Sequence, residues 1–276
     1  MKNLIKRIIP NQLMPVAQAI YWRFFNNSTK GDFSREQYEE LSALKCIVSY
    51  NKYGGYCVPQ FSLHRPAAQK ILSNDVYEPK TIEFIMSNCD NGDVVHAGTY
   101  FGDFLPALSK GAAPGSKIWA FEPNPENYRC ARITLELNDI ENVVLTNAGL
   151  GAKQQYLLVQ TSDENGRSLG GASRIIAKAS KGIAESETVQ IVTIDDMVGP
   201  ARNVSIIQLD VEGHEKEALT GALKTIRRCF PIIILEVLAN STLLGSDLFS
   251  DNILNLGYRK INDIHDNSVF SSKAQQ

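Results

Sequence analysis

The sequence predicts an α/β fold in which a mostly parallel sheet carries helices on both faces. Two observations carry that expectation. From about residue 90 onward, short apolar runs alternate with helical windows, the pattern that builds βαβ units. Each run is also brief and rich in β-branched or aromatic residues, as strands buried on both faces are.

Five runs qualify as strands: Asp93 to His96, Lys117 to Phe121, Val143 to Thr146, Val204 to Leu209, and Ile232 to Val237. Helices are predicted between them over Phe104 to Lys110, Pro125 to Asn138, and His214 to Cys229. An insertion at about 152–200 interrupts the alternation. In it Gln155 to Gln160 and Thr188 to Thr193 read as extra strands, and Ser162 to Ser173 as a Gly-, Ser- and Asn-rich loop long enough to be functional. Ahead of the sheet, residues 1–76 read as an N-terminal helical cap, with Arg35 to Ser49 its clearest amphipathic stretch and Gly54-Gly55 a turn. A helix over Pro79 to Asn88, with Pro79 at its start, opens the main domain at 77–262. The polar end, 263–276, is expected to be a tail, frayed at its last residues.

With 43% hydrophobic and 21% charged residues in 276, the chain has the composition of an ordinary globular protein. Its formal net charge of -2 gives no basic field to neutralise a phosphate backbone, so nucleic acid is not the expected substrate. Cys46, Cys57, Cys89, Cys130 and Cys229 are odd in number and contain no C-x-x-C pair, which argues against a disulfide framework and a thiolate zinc site and for a reducing cytoplasm. No run approaches the roughly 20 apolar residues of a membrane span. The basic and apolar opening from Met1 to Pro10 suggests a peripheral membrane foot or, as the favoured reading, a short helix packing on the domain.

The first βα turn reads Val94-Val95-His96-Ala97-Gly98-Thr99-Tyr100-Phe101-Gly102-Asp103. A strand running into Gly-x-x-x-Gly lets backbone approach a ligand closely, because a Cβ at either glycine would meet the ligand or oppose the dihedral angles of the turn. The Gly-x-Gly-x-x-Gly of nicotinamide and flavin sites is absent, which places an NAD-dependent oxidoreductase last among the readings. The second strand ends in Glu122, where an acid can accept both hydroxyl protons of a ribose, as in dinucleotide enzymes and methyltransferases. The bland alternative makes Glu122 a helix N-terminal acid, with Asn124 capping the helix that starts at Pro125.

Together these residues resemble the FkbM-type methyltransferases, over about Tyr77 to Val237. The matching stretches are Tyr77-Glu78-Pro79-Lys80-Thr81-Ile82, Ala97-Gly98 to Gly102, Ala120 to Asn127, Asn147-Ala148-Gly149-Leu150-Gly151, Gly170-Gly171-Ala172-Ser173, Thr193-Ile194-Asp195-Asp196, and Leu209 to Glu215, in matching order and spacing. The resemblance implies a Rossmann-like class I methyltransferase sheet, S-adenosyl-L-methionine as cofactor, and methyl transfer to oxygen, often a hydroxyl of a sugar or a macrocyclic natural product. It also implies cofactor contacts from the glycine loop (Gly98, Thr99, Tyr100, Gly102) and from Glu122, Pro123 and Asn124. Asn147 and Ala148 would lie near the adenine, with turn formation the alternative role for Asn147. One position departs from the pattern, since the family carries an acid where this chain has His96; Asp103 and Glu78 are the acids placed to compensate. A fold retained without its chemistry, as a catalytically silent binding protein, is the competing reading that His96 raises.

Asp210 ends the fourth strand, and in an open parallel sheet the ligand crevice lies beyond the strands' carboxyl ends. It is the first candidate for the base that takes the acceptor hydroxyl's proton or for the charge that holds the sulfonium, and His214 is the second. The bland reading makes this cluster a helix start, with Glu212 and Glu215 favoured by the dipole. Glu236, at the end of the fifth strand, and Glu212 are expected on the substrate side. Ser173 or Arg174, in the inserted loop, is expected to contact a small-molecule or glycan acceptor. No spacing demands a metal.

Overall fold

The computed structural model describes residues 44–176, 186–238 and 240–272. The amphipathic stretch from Arg35 and the opening segment therefore lie largely or wholly outside the described residues. Lys45–Gln276 forms one compact unit.

That unit begins with an antiparallel hairpin, β1 (Cys46–Asn51) and β2 (Gly54–Pro59), where a helical cap was expected. The cause is tertiary. Tyr56, Cys57 and Val58 are fully buried, the Cys57 amide donates to Thr134 Oγ1 at 3.0 Å, and the Gly55 amide donates to Asn138 Oδ1 at 2.9 Å. The boundary expected near 76 accordingly falls near 44, and the hairpin is part of the main unit. Helices α1 (Pro66–Leu72) and α2 (Pro79–Asn88) follow, each starting at a proline whose missing N–H costs nothing at that position.

The alternation then runs as read: β3 (Asp93–Ala97), α3 (Leu105–Gly111), β4 (Ile118–Phe121), α4 (Pro125–Leu137) and β5 (Val143–Thr146). The insertion adds β6 (Gly149–Leu150), β7 (Gln155–Gln160), β8 (Arg174–Ile176) and β9 (Ser186–Val192), a small sheet in the order β6-β9-β7-β8. After α5 (Ile194–Val198) come β10 (Val204–Leu209), α6 (Glu215–Thr220), α7 (Leu223–Cys229), β11 (Ile232–Glu236) and α8 (Asp247–Asn252). The single helix expected over His214 to Cys229 is two, broken at Gly221. A Cβ there would fall inside the radius of the Gly151 carbonyl oxygen, and the Gly221 carbonyl accepts from the Asp195 amide at 2.9 Å, so close backbone contact sets the break.

Up to residue 272 the expected tail is instead part of a second hairpin, β12 (Arg259–Ile264) and β13 (Asn267–Ser271), whose Val269 and Phe270 are buried, while its last four residues lie outside the described ones. Among the described residues the main sheet has the order β12-β13-β11-β10-β3-β4-β5, parallel except at the β13 edge. Val95, Leu209, Leu219 and Ile226 fill one face, and Ile82, Val94, Ile206 and Ile234 the other. No helix among the described residues is long and apolar enough to cross a membrane.

Replacing Gly221 by Ala should cost about 1–3 kcal/mol, the usual penalty for overpacking. Thermal melts of the two proteins test this, and an unchanged melting temperature would contradict the close-contact account.

Candidate active site

The glycine loop is shaped by what lies beneath it. The Asp210 amide donates to the Ala97 carbonyl at 3.1 Å, and a Cβ on Gly98, whose φ is 86°, would collide with the Asp210 carbonyl oxygen. Gly102, at φ 83°, closes the turn by donating to the Thr99 carbonyl at 2.8 Å. Glu122 then ties this loop to the tip of β4. Its Oε2 accepts from the Tyr100 amide at 2.7 Å, and its Oε1 accepts from the Asn124 amide at 2.9 Å and from Asn127 Nδ2 at 3.3 Å. Asn124 caps α4, accepting from the Glu126 amide at 3.0 Å. The helix-cap reading thus holds for Asn124, while Glu122 faces inward.

Two chambers meet at Gly98, Gly171 and Asp210. The first is apolar, walled by Ala97, Phe121, Ala148, Leu150 and Val211, with Glu122 and Pro123 at its edge; it holds about 30 Å³. The second is acidic and holds about 170 Å³. Glu78, Asp103, Asp210, Glu212 and Glu236 all line it, with Arg65 the one cationic group in its wall among the described residues. A larger hollow of about 1010 Å³ lies beyond Asn124 and Ser168, lined in part by Phe61, His64 and Arg167; it contains none of these buried carboxylates and is set aside as the site of chemistry. The segment Gly170 to Ser173 lies over the junction as a strap. It is latched by Asn127 Nδ2 to the Gly170 carbonyl at 3.1 Å and by Asn124 Nδ2 to Ser173 Oγ at 3.1 Å.

Three non-glycine residues of the acidic chamber, Glu78, Tyr100 and Glu212, hold left-handed φ angles of 45°, 52° and 51°. Such strain persists only where surroundings impose it, and it gathers at functional sites. Burial raises carboxyl pKa values in both chambers, to about 7 for Asp103 and Glu236 in the acidic one and about 8 for Glu122 in the apolar one. Asp210 is raised well above its usual range by burial and then by the neighbouring Glu236 carboxyl. At the opposite end of β3, buried Asp93 behaves otherwise: hydrogen bonds from Arg202, Trp119 and Lys117 outweigh its burial and hold its pKa down. His96 is 2% exposed, stacks on Phe104, and bonds Gln208 Oε1 through Nδ1, while its Nε2 has no partner among the described residues. Burial lowers its pKa to about 4, so it is neutral at physiological pH.

Not every expected residue reaches the chambers. Thr99 is fully buried beneath the loop, its hydroxyl donating to the His96 carbonyl at 3.2 Å. Asn147 turns its amide onto the Glu122 and Pro123 carbonyls at 2.8 and 3.2 Å and lines neither chamber, so it braces the strand tip. His214 also lines neither; it caps the start of α6 with Nδ1 3.7 Å from Glu217 and Nε2 packed toward Gly151, so the second candidate base is turned away. Ser173 borders the apolar chamber, whereas Arg174 is exposed and donates to Gln160 Oε1 at 3.2 Å. Sequence reasoning missed Arg65, Tyr77 and Gln208, which line the acidic chamber. Gln208 carried a signal as a polar residue inside an apolar strand, and Tyr77 as the start of a stretch that matches the family pattern; Arg65 carried none.

A family model describing a methyltransferase FkbM domain matches residues 96–259. No curated protein matches the chain. Similar crystal structures include the methyltransferase FkbM from Methylobacillus flagellatus KT, 20% identical over 66% of this chain and 44% of that one, with a TM-score of 0.45. The chain therefore spans less than half the length of that protein. A SAM-dependent methyltransferase from Aquifex aeolicus is 15% identical over 76% of this chain and 94% of that one, with a TM-score of 0.41. The Pyrococcus abyssi tRNA (uracil-54, C5)-methyltransferase, in complex with S-adenosyl-L-homocysteine, is 10% identical over 82% of this chain and 43% of that one, with a TM-score of 0.40.

Carboxyls with folded pKa values raised to about 7 or 8 bind more protons in the native state than in the unfolded chain above the ordinary carboxylate range. Their stabilising effect is complete below the unfolded pKa and is lost as pH rises through 7 to 8. The melting temperature of the ligand-free protein should therefore fall between pH 6 and 8.5, and Glu122→Gln should flatten that fall. A melting temperature that rises over the same interval would refute the assignment.

Proposed function

The chain belongs to the FkbM methyltransferase family, and on that premise we propose that it methylates a hydroxyl oxygen of a sugar, glycan or other small-molecule acceptor. The observation that carries this reading is the meeting of an apolar chamber and an acidic chamber at Gly98 and Asp210, beyond the carboxyl ends of β3 and β10. S-adenosylmethionine, the methyl donor, supplies an electrophilic methyl group on a sulfonium. The residues present suit it chemically: Glu122 accepts ribose hydroxyls, the apolar walls take the adenine, and the carboxylates opposite offset the ligand's positive charge. Glu78, His96, Tyr100 and Asp103, which line the acidic chamber, would surround its methionine end.

A chamber of about 30 Å³ is far below the roughly 300 Å³ at which ligand sites begin. Admission of the adenosine thus requires the Gly170–Ser173 strap to lift, breaking its bonds to Asn124 and Asn127. With the strap down, Ser173 borders the site; Arg174, held on Gln160, serves the strap and not the acceptor.

The acceptor enters by the acidic chamber, where Glu212 and Glu236 orient its hydroxyl and Asp210 takes the proton. Five carboxyls around one arginine disfavour an anionic acceptor such as a phosphate or a uronate, and favour a neutral hydroxyl compound. A cytoplasmic location belongs to this reading, supported by five free thiols. The tightness of the apolar chamber and the neutral His96 favour one competing reading, a silent binding protein.

Calorimetric titration tests the proposal. S-adenosylmethionine and S-adenosylhomocysteine should both bind, and Glu122→Ala should weaken both by about 1.5–3 kcal/mol, the scale of charge-assisted hydrogen bonds. Absence of binding by either ligand at millimolar concentration would overturn the methyltransferase reading. Binding of both with no methyl transferred to any hydroxyl compound of a glycan panel would favour the silent protein.

A further inference from the structure

Strands β10 and β11 are parallel and in register, with Leu209 beside Leu235. The next residues, Asp210 and Glu236, therefore emerge side by side, and both line the acidic chamber. Two carboxyls so placed resist ionising together, and burial adds to that, so the pair keeps one proton between them. Other groups deepen the effect: Glu78 and Asp266 from the α2 and β13 sides, and Glu212 beyond β10. Asp103 and Tyr77 also face the chamber, Arg65 is its cation, and His96 is neutral. The unpartnered, buried Nε2 of His96 in the same chamber marks a place where a ligand donor group completes the wall.

An Asp210 that carries a proton is no base. Asp210 nevertheless borders both chambers, at the junction where a ligand with its adenosine on the Glu122 side would place the centre that differs between donor and product. That centre is a cationic sulfonium in S-adenosylmethionine and a neutral thioether in S-adenosylhomocysteine. We infer that Asp210 and Glu236 form a charge-sensing pair, which gives up its shared proton when the cationic donor binds and regains it when the neutral product is left. The inference rests on the proposed methyl-donor site. In it, the proton leaves to solvent, both carboxylates face the positive centre, and Asp210 becomes competent to take the acceptor hydroxyl's proton only while donor is present. Methyl transfer would remove the positive charge, and the proton Asp210 takes from the acceptor hydroxyl returns the pair to its singly ionised state, with one negative charge fewer and no cation to face. The neutral product is consequently held less tightly than the donor. Glu236 thus acts on both timing and selectivity.

The test is calorimetry of wild type and Glu236→Gln at pH 7, in buffers of differing ionisation enthalpy, with S-adenosylmethionine, S-adenosylhomocysteine and sinefungin, whose amine supplies a cation where the product has none. For the wild type, S-adenosylmethionine and sinefungin should release up to about one proton more than S-adenosylhomocysteine, and the preference for the cationic ligands should grow by up to roughly tenfold per pH unit while the pair remains protonated. In Glu236→Gln the extra proton and the pH dependence of the preference should both vanish. Equal proton release by the cationic and neutral ligands in the wild type would overturn the inference and leave the methyl-donor site standing, and this holds even if the variant does not fold. If none of the three ligands binds, the site assignment itself falls.

Discussion

The backbone of Gly98 runs so close to the Asp210 carbonyl that the first crossover loop leaves no space there for any side chain. This contact follows from topology. From β3 the chain moves outward to β4 and β5, then returns across the sheet to β10 on the other side, so β3 and β10 flank the point where strand order reverses. Loops leaving such a point diverge, and the crevice between them is where open α/β sheets take their ligands. Glu122, one strand over, ties the same loop to the tip of β4 through the Tyr100 amide. Strand order, glycine loop and acid therefore make a single construction.

The two ends of β3 show what this construction is for. At the start of the strand, buried Asp93 is surrounded by donors and held ionised by Arg202, which is how a fold stabilises an acid it must bury. At the far end, Asp103 is buried and Asp210 and Glu236 are half-buried, with few donors and a surplus of like charge. Carboxyls left in that condition weaken the free protein as pH rises through neutrality. The left-handed backbone at Glu78, Tyr100 and Glu212 adds strain at the same place.

The inserted sheet reaches this machinery through the strap. Asn127 donates to both Glu122 and the Gly170 carbonyl, and Asn124 caps α4 while holding Ser173. The residues that hold Glu122 in place therefore also hold the Gly170–Ser173 segment down, through hydrogen bonds each worth about 0.5–1.5 kcal/mol net.

The sequence by itself determined the five central strands, the turn at Gly98 and Gly102, and the placement of Glu122, Asp210 and Glu236 at strand ends. Each follows from local periodicity or from spacing along one βαβ unit, which a linear pattern records. It also carried the family resemblance through motifs in fixed order. Only the tertiary structure decided the rest. The segment at Cys46–Pro59 is a hairpin because β2 finds partners in Thr134 and Asn138, more than 70 residues away. The polar end completes the sheet because Asn267 to Phe270 pairs with β11, and the helix after Asp210 breaks at Gly221 because Gly151 lies against it. Asn147 and His214 sit at the right sequence distance from the site, yet one braces a strand tip and the other turns toward Glu217. Arg65, Tyr77 and Gln208, remote from one another in the chain, meet in the acidic chamber. Which way a side chain turns, and which distant backbone it meets, depends on long-range packing that no window of sequence contains.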